Sequence, residues 1–182
     1  MAILQEKKYT IEDIYNLPEG TRAELIDGQI YYQASPSRTH QIISKELVVE
    51  IDSFIKSNNG KCEVYPAPFD VFLNGDESEC YIPDISVICN SDMIKERGCY
   101  GAPDWIIEIT SPSTSRYDYL LKSVKYQAAG VREYWIVNPQ KQAITIYDFT
   151  DENFIPQLYT FSDKLKVNIY DNLYISFADL KL

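Results

Sequence analysis

Apolar residues recur along this chain with two periods, and the switches between them mark its elements. Ile43, Leu47, Ile51, Phe54 and Ile55 fall at helical spacing. They predict a long helix opened by Ser35-Pro36-Ser37, running to about Lys56 and stopped by Asn58-Asn59-Gly60. Thr10 to Asn16 predicts a short helix with Thr10 as its cap, ended by Pro18-Glu19-Gly20. Arg22 to Asp27 and Gln29 to Gln33, meeting at Asp27-Gly28, predict a β-hairpin. Strand-like runs follow at Cys62 to Tyr65, Phe69 to Leu73, Ile85 to Cys89 and Trp105 to Ile109. A second helix is expected from about Arg116 to Ala129, stopped at Gly130. Glu133 to Val137 and Ala143 to Phe149 read as a hairpin, Leu158 to Phe161 and Lys164 to Ile169 as short strands, and Phe177 to Leu180 as a last helical turn. This mixed order points to an α/β (α+β) domain around one mixed sheet.

The chain has 182 residues, which suits a single domain over 1–182 with one real core. Hydrophobic residues make up 45% and charged residues 24%, so disorder as the main state is excluded. No apolar run is long enough for a transmembrane helix, and Met1 to Lys8 lacks the pattern of a signal peptide. No membrane partner is expected. Cys62, Cys80, Cys89 and Cys99 form no CxxC pair and His40 is the one histidine, so zinc is not expected. A disulfide framework is not expected in a chain with this much core, and the cysteines read as reduced and the protein as cytoplasmic. The formal net charge of −10 argues against binding nucleic acid over the whole surface.

Three segments carry candidate chemistry. In Tyr81-Ile82-Pro83-Asp84-Ile85-Ser86-Val87-Ile88, Asp84 opens an apolar strand behind a proline. In Trp105-Ile106-Ile107-Glu108-Ile109-Thr110, Glu108 sits inside a strand that is otherwise hydrophobic. Such a carboxylate is costly unless it faces solvent, pairs with a lysine or holds a metal. On the following helix Asp118, Lys122, Lys125 and Tyr126 share one face. Two strand carboxylates and a backbone carbonyl form a hard-oxygen set suited to Mg²⁺ or Mn²⁺. A nearby lysine suits orienting water or meeting developing phosphate charge.

In their order along the chain these residues resemble the Uma-type restriction endonuclease family of the PD-(D/E)XK nuclease superfamily. The resemblance begins at Ala23-Glu24-Leu25-Ile26-Asp27-Gly28 and passes through Ser35-Pro36, His40 and Pro83-Asp84-Ile85-Ser86-Val87. It continues through Pro103-Asp104 and Glu108 to Thr114, then Asp118, Lys122, Tyr126 and Gly130 to Val137. It implies a restriction-endonuclease-like three-layer core, a mixed β-sheet flanked by helices, with extra N-terminal and C-terminal hairpins. It also implies metal-dependent hydrolysis of DNA phosphodiesters. Asp84 matches the motif's Asp and Glu108 its second acid. Thr110 stands where a lysine would complete Glu-x-Lys, and Lys122 matches the family's displaced lysine, with Lys125 as its competitor. The implied metal set is Asp84, Glu108 and the Ile109 carbonyl, holding Mg²⁺ (or Mn²⁺). Glu24 matches an early acid that reaches the same pocket, and His40 another family position.

Other signals have plainer readings beside the functional ones. His40 reads either as a contact in the site or as a residue at a helix start. Asp118 either braces Lys122 or supports the helix. Tyr126 belongs to the core or lies behind the site. The stretch Arg116 to Arg132 is basic within an acidic chain, and reads as a phosphate-facing strip or as a solvated face. Tyr31, Tyr32 and Tyr100 are candidates to stack on bases. Ser111 has no histidine near it in sequence, which argues against a serine esterase. The leading expectation is a DNA endonuclease, with a homodimer suiting the cutting of two strands and no organic cofactor. The alternative is a catalytically silent nuclease fold that binds DNA or protein partners.

Overall fold

Two of the most apolar stretches of the chain form the centre of the computed structural model, which describes residues 7–110, 121–178 and 180. Strands β8 (Trp105–Ile109) and β9 (Glu133–Asn138) are buried at every position and run parallel. Burial on both faces removes the usual alternation, so each reads as a near-continuous apolar run. Around them lie β3 (Glu63–Pro66), β5 (Ile85–Ile88), β10 (Ala143–Asp148) and β11 (Gln157–Thr160), all paired antiparallel. The order across this six-stranded mixed sheet is β11-β10-β9-β8-β5-β3.

A layer covers each face. The long helix α2 (Arg38–Ser57) lays Ile43, Leu47, Ile51 and Ile55 against Ile85, Val87, Trp105, Ile107 and Trp135. Within the predicted opening Ser35-Pro36-Ser37 the cap is Ser37, whose side chain accepts from the His40 N–H in the first turn. The tail hairpin of β12 (Lys164–Lys166) and β13 (Tyr174–Ser176) extends the same core with Leu165, Leu173 and Ile175. On the other face α3 (Ser123–Ala129) buries Tyr126 against Ile106, Tyr134 and Ile136. Gly130, at φ 95, ends that helix in the left-handed conformation glycine favours. The helix expected from Arg116 is described only from Leu121 onward, and 111–120, with Ser111 and Asp118, lie outside the described residues.

Three smaller pieces complete the domain. The short helix α1 (Ile11–Tyr15) has Thr10 and Asp13 forming a capping box. The hairpin of β1 (Ala23–Ile26) and β2 (Gln29–Tyr32) turns at Asp27 and Gly28, both with positive φ, as a type I′ turn requires. A three-stranded sheet joins β4 (Asp70–Phe72), β7 (Gly98–Tyr100) and β6 (Ile94–Lys95). The sheets are therefore several and not one. Strands β6, β7 and β13 are too short for a readable period, and β13 ends just before the position expected to be helical. There, one turn is closed by the Leu180 N–H on the Phe177 carbonyl.

The expectation of four reduced cysteines is overturned. Cys62 and Cys89 form a disulfide, with Cα atoms 3.9 Å apart. The reason lies in the register. Glu63 pairs with Ile88 in the β3–β5 ladder, and one further step sets Cys62 opposite Cys89. Their separation of 27 residues hides that adjacency. Cys80 and Cys99 are buried free thiols, and burial pushes the Cys99 thiol up to about 12. Among the described residues no helix is long and apolar enough to cross a membrane.

Candidate active site

The β5–β8 ladder brings the two strand carboxylates together. Ile85 pairs with Ile107, and continuing that antiparallel register by one residue sets Asp84 opposite Glu108. Directly opposed residues lie with their Cβ atoms about 4.5–5.5 Å apart on one face. Asp84 is tied to β8 through its side chain, because the Ile109 N–H donates to its Oδ2 at 2.7 Å. Its Oδ1 lies 3.0 Å from Nε2 of His40, in the first turn of α2. The residue whose N–H is capped by Ser37 thus aims its ring at Asp84.

Glu108 is 5% exposed and stands on the α3 side of the sheet. Its Oε1 accepts from Lys122 Nζ at 2.7 Å and from the Tyr126 hydroxyl at 2.9 Å. Lys122 is 3% exposed, and its ammonium also donates to Glu24 Oε1 at 2.9 Å. Glu24, from β1, is fixed in turn by the Ile82 N–H at 2.8 Å. A buried ammonium is held between two buried carboxylates contributed by different sheets. This is the arrangement in which desolvated charges are tolerated.

The helix periodicity separates the two candidate lysines. Position 126 is only about 40° around the helix from 122, whereas 125 is about 60° the other way. Lys122 and Tyr126 therefore meet on Glu108. Lys125 turns to the β1–β2 hairpin and pairs with Asp27 at 2.5 Å and Glu79 at 2.9 Å. Burial works against the Lys125 ammonium, but the two carboxylates outweigh it and hold its pKa above the usual lysine range. The hydrogen bond from Lys125 holds Asp27 below the usual carboxylate range.

The basic stretch does not form a phosphate-facing strip among the described residues. Lys122 and Lys125 are engaged as described, and Arg132 donates to Asp104 at 3.1 Å. Arg116 lies outside the described residues. Asp104 is a brace: its Oδ2 accepts the Cys89 N–H at 2.8 Å and its carbonyl accepts from the Arg132 and Glu133 N–H groups. Tyr100 packs on Phe72 and donates to Glu77, away from the acids. Thr110, in the place of the missing lysine, is buried and its N–H continues the ladder onto the Val137 carbonyl.

Glu24, Asp84, Glu108, Ile109 and Lys122 all line one cleft of about 1010 Å³, with His40, Tyr31 and Tyr32 on its walls. The oxygen donors are of the type a hard divalent cation takes. A positive charge already stands between Glu24 and Glu108, in the form of the Lys122 ammonium. Among the described residues no three His, Cys, Asp or Glu side chains converge as a ready cation cage. Asp84, Glu108 and the Ile109 carbonyl fit a cation in chemistry, with the acids now engaged by protein donors.

Residues 11–176 match the Uma2 family, described as "Putative restriction endonuclease". The chain belongs to that family. The uncharacterized protein slr1290 of Synechocystis is 28% identical over 158 residues, spanning 85% of this chain and 80% of its own. The crystal structure of a putative nuclease of DUF820 from Anabaena variabilis superposes with a TM-score of 0.75 at 24% identity, covering 94% of this chain and 96% of that one. The second likeness confirms the three-layer nuclease-like fold. Membership of the Uma2 family supports a nuclease-like function.

Proposed function

We propose that this chain is a metal-dependent DNA endonuclease acting at the cluster of Asp84, Glu108 and Lys122. The observation that carries the reading is the buried Lys122 ammonium between Glu24 and Glu108, beside Asp84 and open to a cleft. Purely structural ion pairs of this kind are disfavoured against apolar packing. Groups held charged in a cleft instead mark sites where charge is put to use.

Asp84, Glu108 and the Ile109 carbonyl would hold Mg²⁺ (or Mn²⁺). Such a cation polarises a phosphoryl oxygen and lowers the pKa of bound water. The protein groups do the positioning. His40 and the Ile109 N–H fix both oxygens of Asp84. Tyr126 fixes Glu108, and Glu24 holds Lys122 by its ammonium. Lys122 orients the attacking water and meets the negative charge that builds on the phosphoryl oxygens. Water gives up one proton to solvent as its oxygen adds to phosphorus, the bond to the leaving oxygen breaks, and that oxygen takes up a proton from solvent. A symmetric pair of copies would offer two such sites for two strands.

Cleavage of supercoiled and linear DNA with Mn²⁺, Mg²⁺ or EDTA, run beside Glu108→Ala and Lys122→Ala, tests this. Metal-dependent cutting lost in both variants is the expected result. Cutting that persists in Glu108→Ala, or no cutting of duplex or single-stranded DNA by the native chain under any metal, would overturn it.

A further inference from the structure

The walls of the cleft differ in character from its floor. Cations lining it are Arg22, Lys45 and Lys122, against the carboxylates Glu24, Asp84 and Glu108. Lys122 is engaged by two of those acids, and Lys45 lies 2.7 Å from Glu46. The lining residues thus carry no excess of positive charge, and the whole chain is at −10. Proteins that grip a duplex neutralise roughly 6–10 phosphates with lysine and arginine. Among the described residues this cleft has too few cations for that.

The walls instead present aromatic and apolar surface. Tyr32, at the end of β2, is 66% exposed at the cleft, and Val49 on α2 is 55% exposed there. Ile30 and Pro36 line the space between. On the hairpin, Tyr31 is the cross-strand partner of Glu24, so the aromatic end of β2 directly adjoins the acids. A cleft of about 1010 Å³ is pocket-sized, suited to a few unstacked nucleotides. Stacking of unpaired bases on exposed rings adds affinity that does not depend on sequence, and a paired duplex keeps its bases out of reach of it.

We propose that the cleft accepts an unpaired DNA strand, with Tyr32 as its stacking platform, so that the site acts on single-stranded DNA or on unpaired stretches. This rests on the nuclease reading for its catalytic consequence, but the binding itself is testable apart from it.

The test uses the full chain in EDTA with a fluorescein-labelled single strand, and with the same strand in a blunt duplex, followed by fluorescence anisotropy. The single strand is expected to bind at least tenfold tighter than the duplex. Between 50 and 200 mM salt its affinity should fall about 7-fold, the loss for two phosphate contacts on a single strand. Tyr32→Ala should weaken strand binding about tenfold and Tyr32→Phe should restore it, both with unchanged circular dichroism and Tm. Val49→Asp, on the other wall, should weaken it as well. A duplex bound as tightly as the strand, no binding of either, or indifference to Tyr32→Ala would overturn the proposal. A parallel reaction in Mn²⁺ separates the two readings. A strand bound but never cut leaves this inference standing and removes the nuclease. A duplex cut as fast as the strand does the reverse.

Discussion

His40 Nε2 lies 3.0 Å from Asp84 Oδ1, while the Ile109 amide occupies Oδ2 of the same carboxylate at 2.7 Å. Both oxygens of the acid that opens β5 are therefore oriented by protein groups from two other elements. Groups that orient metal-ligating carboxylates from behind are worth about 10–100-fold in metal affinity or activity. His40→Ala should lower Mn²⁺ affinity and Mn²⁺-supported cleavage by that order, with His40→Gln recovering part of the loss. Calorimetric Mn²⁺ titration beside initial rates checks it. Unchanged affinity in His40→Ala would mean that the contact only closes the first turn of α2.

The Lys122 ammonium is a charge that two buried acids require. Removing it leaves Glu24 and Glu108 facing each other without compensation. Loss of one partner from a buried ionic group costs about 3–5 kcal/mol. Lys122→Met should therefore unfold at a clearly lower urea midpoint in EDTA. The same variant should bind Mn²⁺ more tightly than the native chain, because the cation no longer competes with an ammonium. At a hundredfold excess over Kd, Mn²⁺ would return about 2.7 kcal/mol of stability. Cleavage should still be lost. Tighter metal with no activity would separate holding the cation from using it, and an undiminished rate would remove Lys122 from the chemistry.

Much of this architecture was legible because its signals are local. The stripe from Ile43 to Ile55 could bury only as a helix, and Trp105–Ile109 had to be a central strand. Glu108 stood out because an acid in such a strand needs a partner, and Lys122 and Tyr126 supply it from one helix face. What escaped depends on residues far apart in sequence. The Cys62–Cys89 bond follows from a strand register. The engagement of Lys125 by Asp27 and Glu79 requires the hairpin to dock beside α3. The basic look of the stretch up to Arg132 dissolved for the same reason, since each described cation found an acid from another element. Strands β6 and β7 are two or three residues long and held by neighbours, so no period announces them.

Glu133 at the start of β9 is fully buried, and desolvation pushes its carboxyl up to about 7. Hydrogen bonds from Trp135 Nε1 and from the Asn168 and Ile169 amides work in the opposite direction without cancelling that rise. With an unfolded value of 4.5, both states bind the proton below that pH. Between about 4.5 and 7 the folded state binds it and the unfolded state does not, so this residue's contribution to stability declines as pH rises through that window. The full swing is about 3 kcal/mol, from 1.36 kcal/mol per unit. Glu133→Gln, which keeps an acceptor for the amides, should remove that swing. Urea unfolding at pH 4.5 and pH 8 measures it. Equal pH dependence in the native chain and Glu133→Gln would place the carboxyl's titration elsewhere.

The disulfide makes the last prediction, and it concerns the strand that Asp84 opens. Cys62 and Cys89 join the edge strand β3 to β5 across 27 residues of chain. A crosslink closing a loop of that length restricts the unfolded ensemble by about 3.5 kcal/mol in the chain-entropy account. Reduction should lower the urea midpoint by the corresponding amount, and Cys62→Ser should match the reduced native chain. Thiol counting gives the complementary check. Unfolded without reductant, the chain should expose two reactive thiols, Cys80 and Cys99, and after reduction four. Because, among the described residues, β3 lies at the edge of the central sheet and pairs there with β5 alone, the loss should be felt first at that edge. Hydrogen exchange of the Tyr65 and Ser86 amides, a hydrogen-bonded pair of that ladder, should accelerate on reduction more than that of Ile107 and Ile136 in β8 and β9. Uniform acceleration across the sheet, or four thiols without reductant, would refute the bond's assigned role.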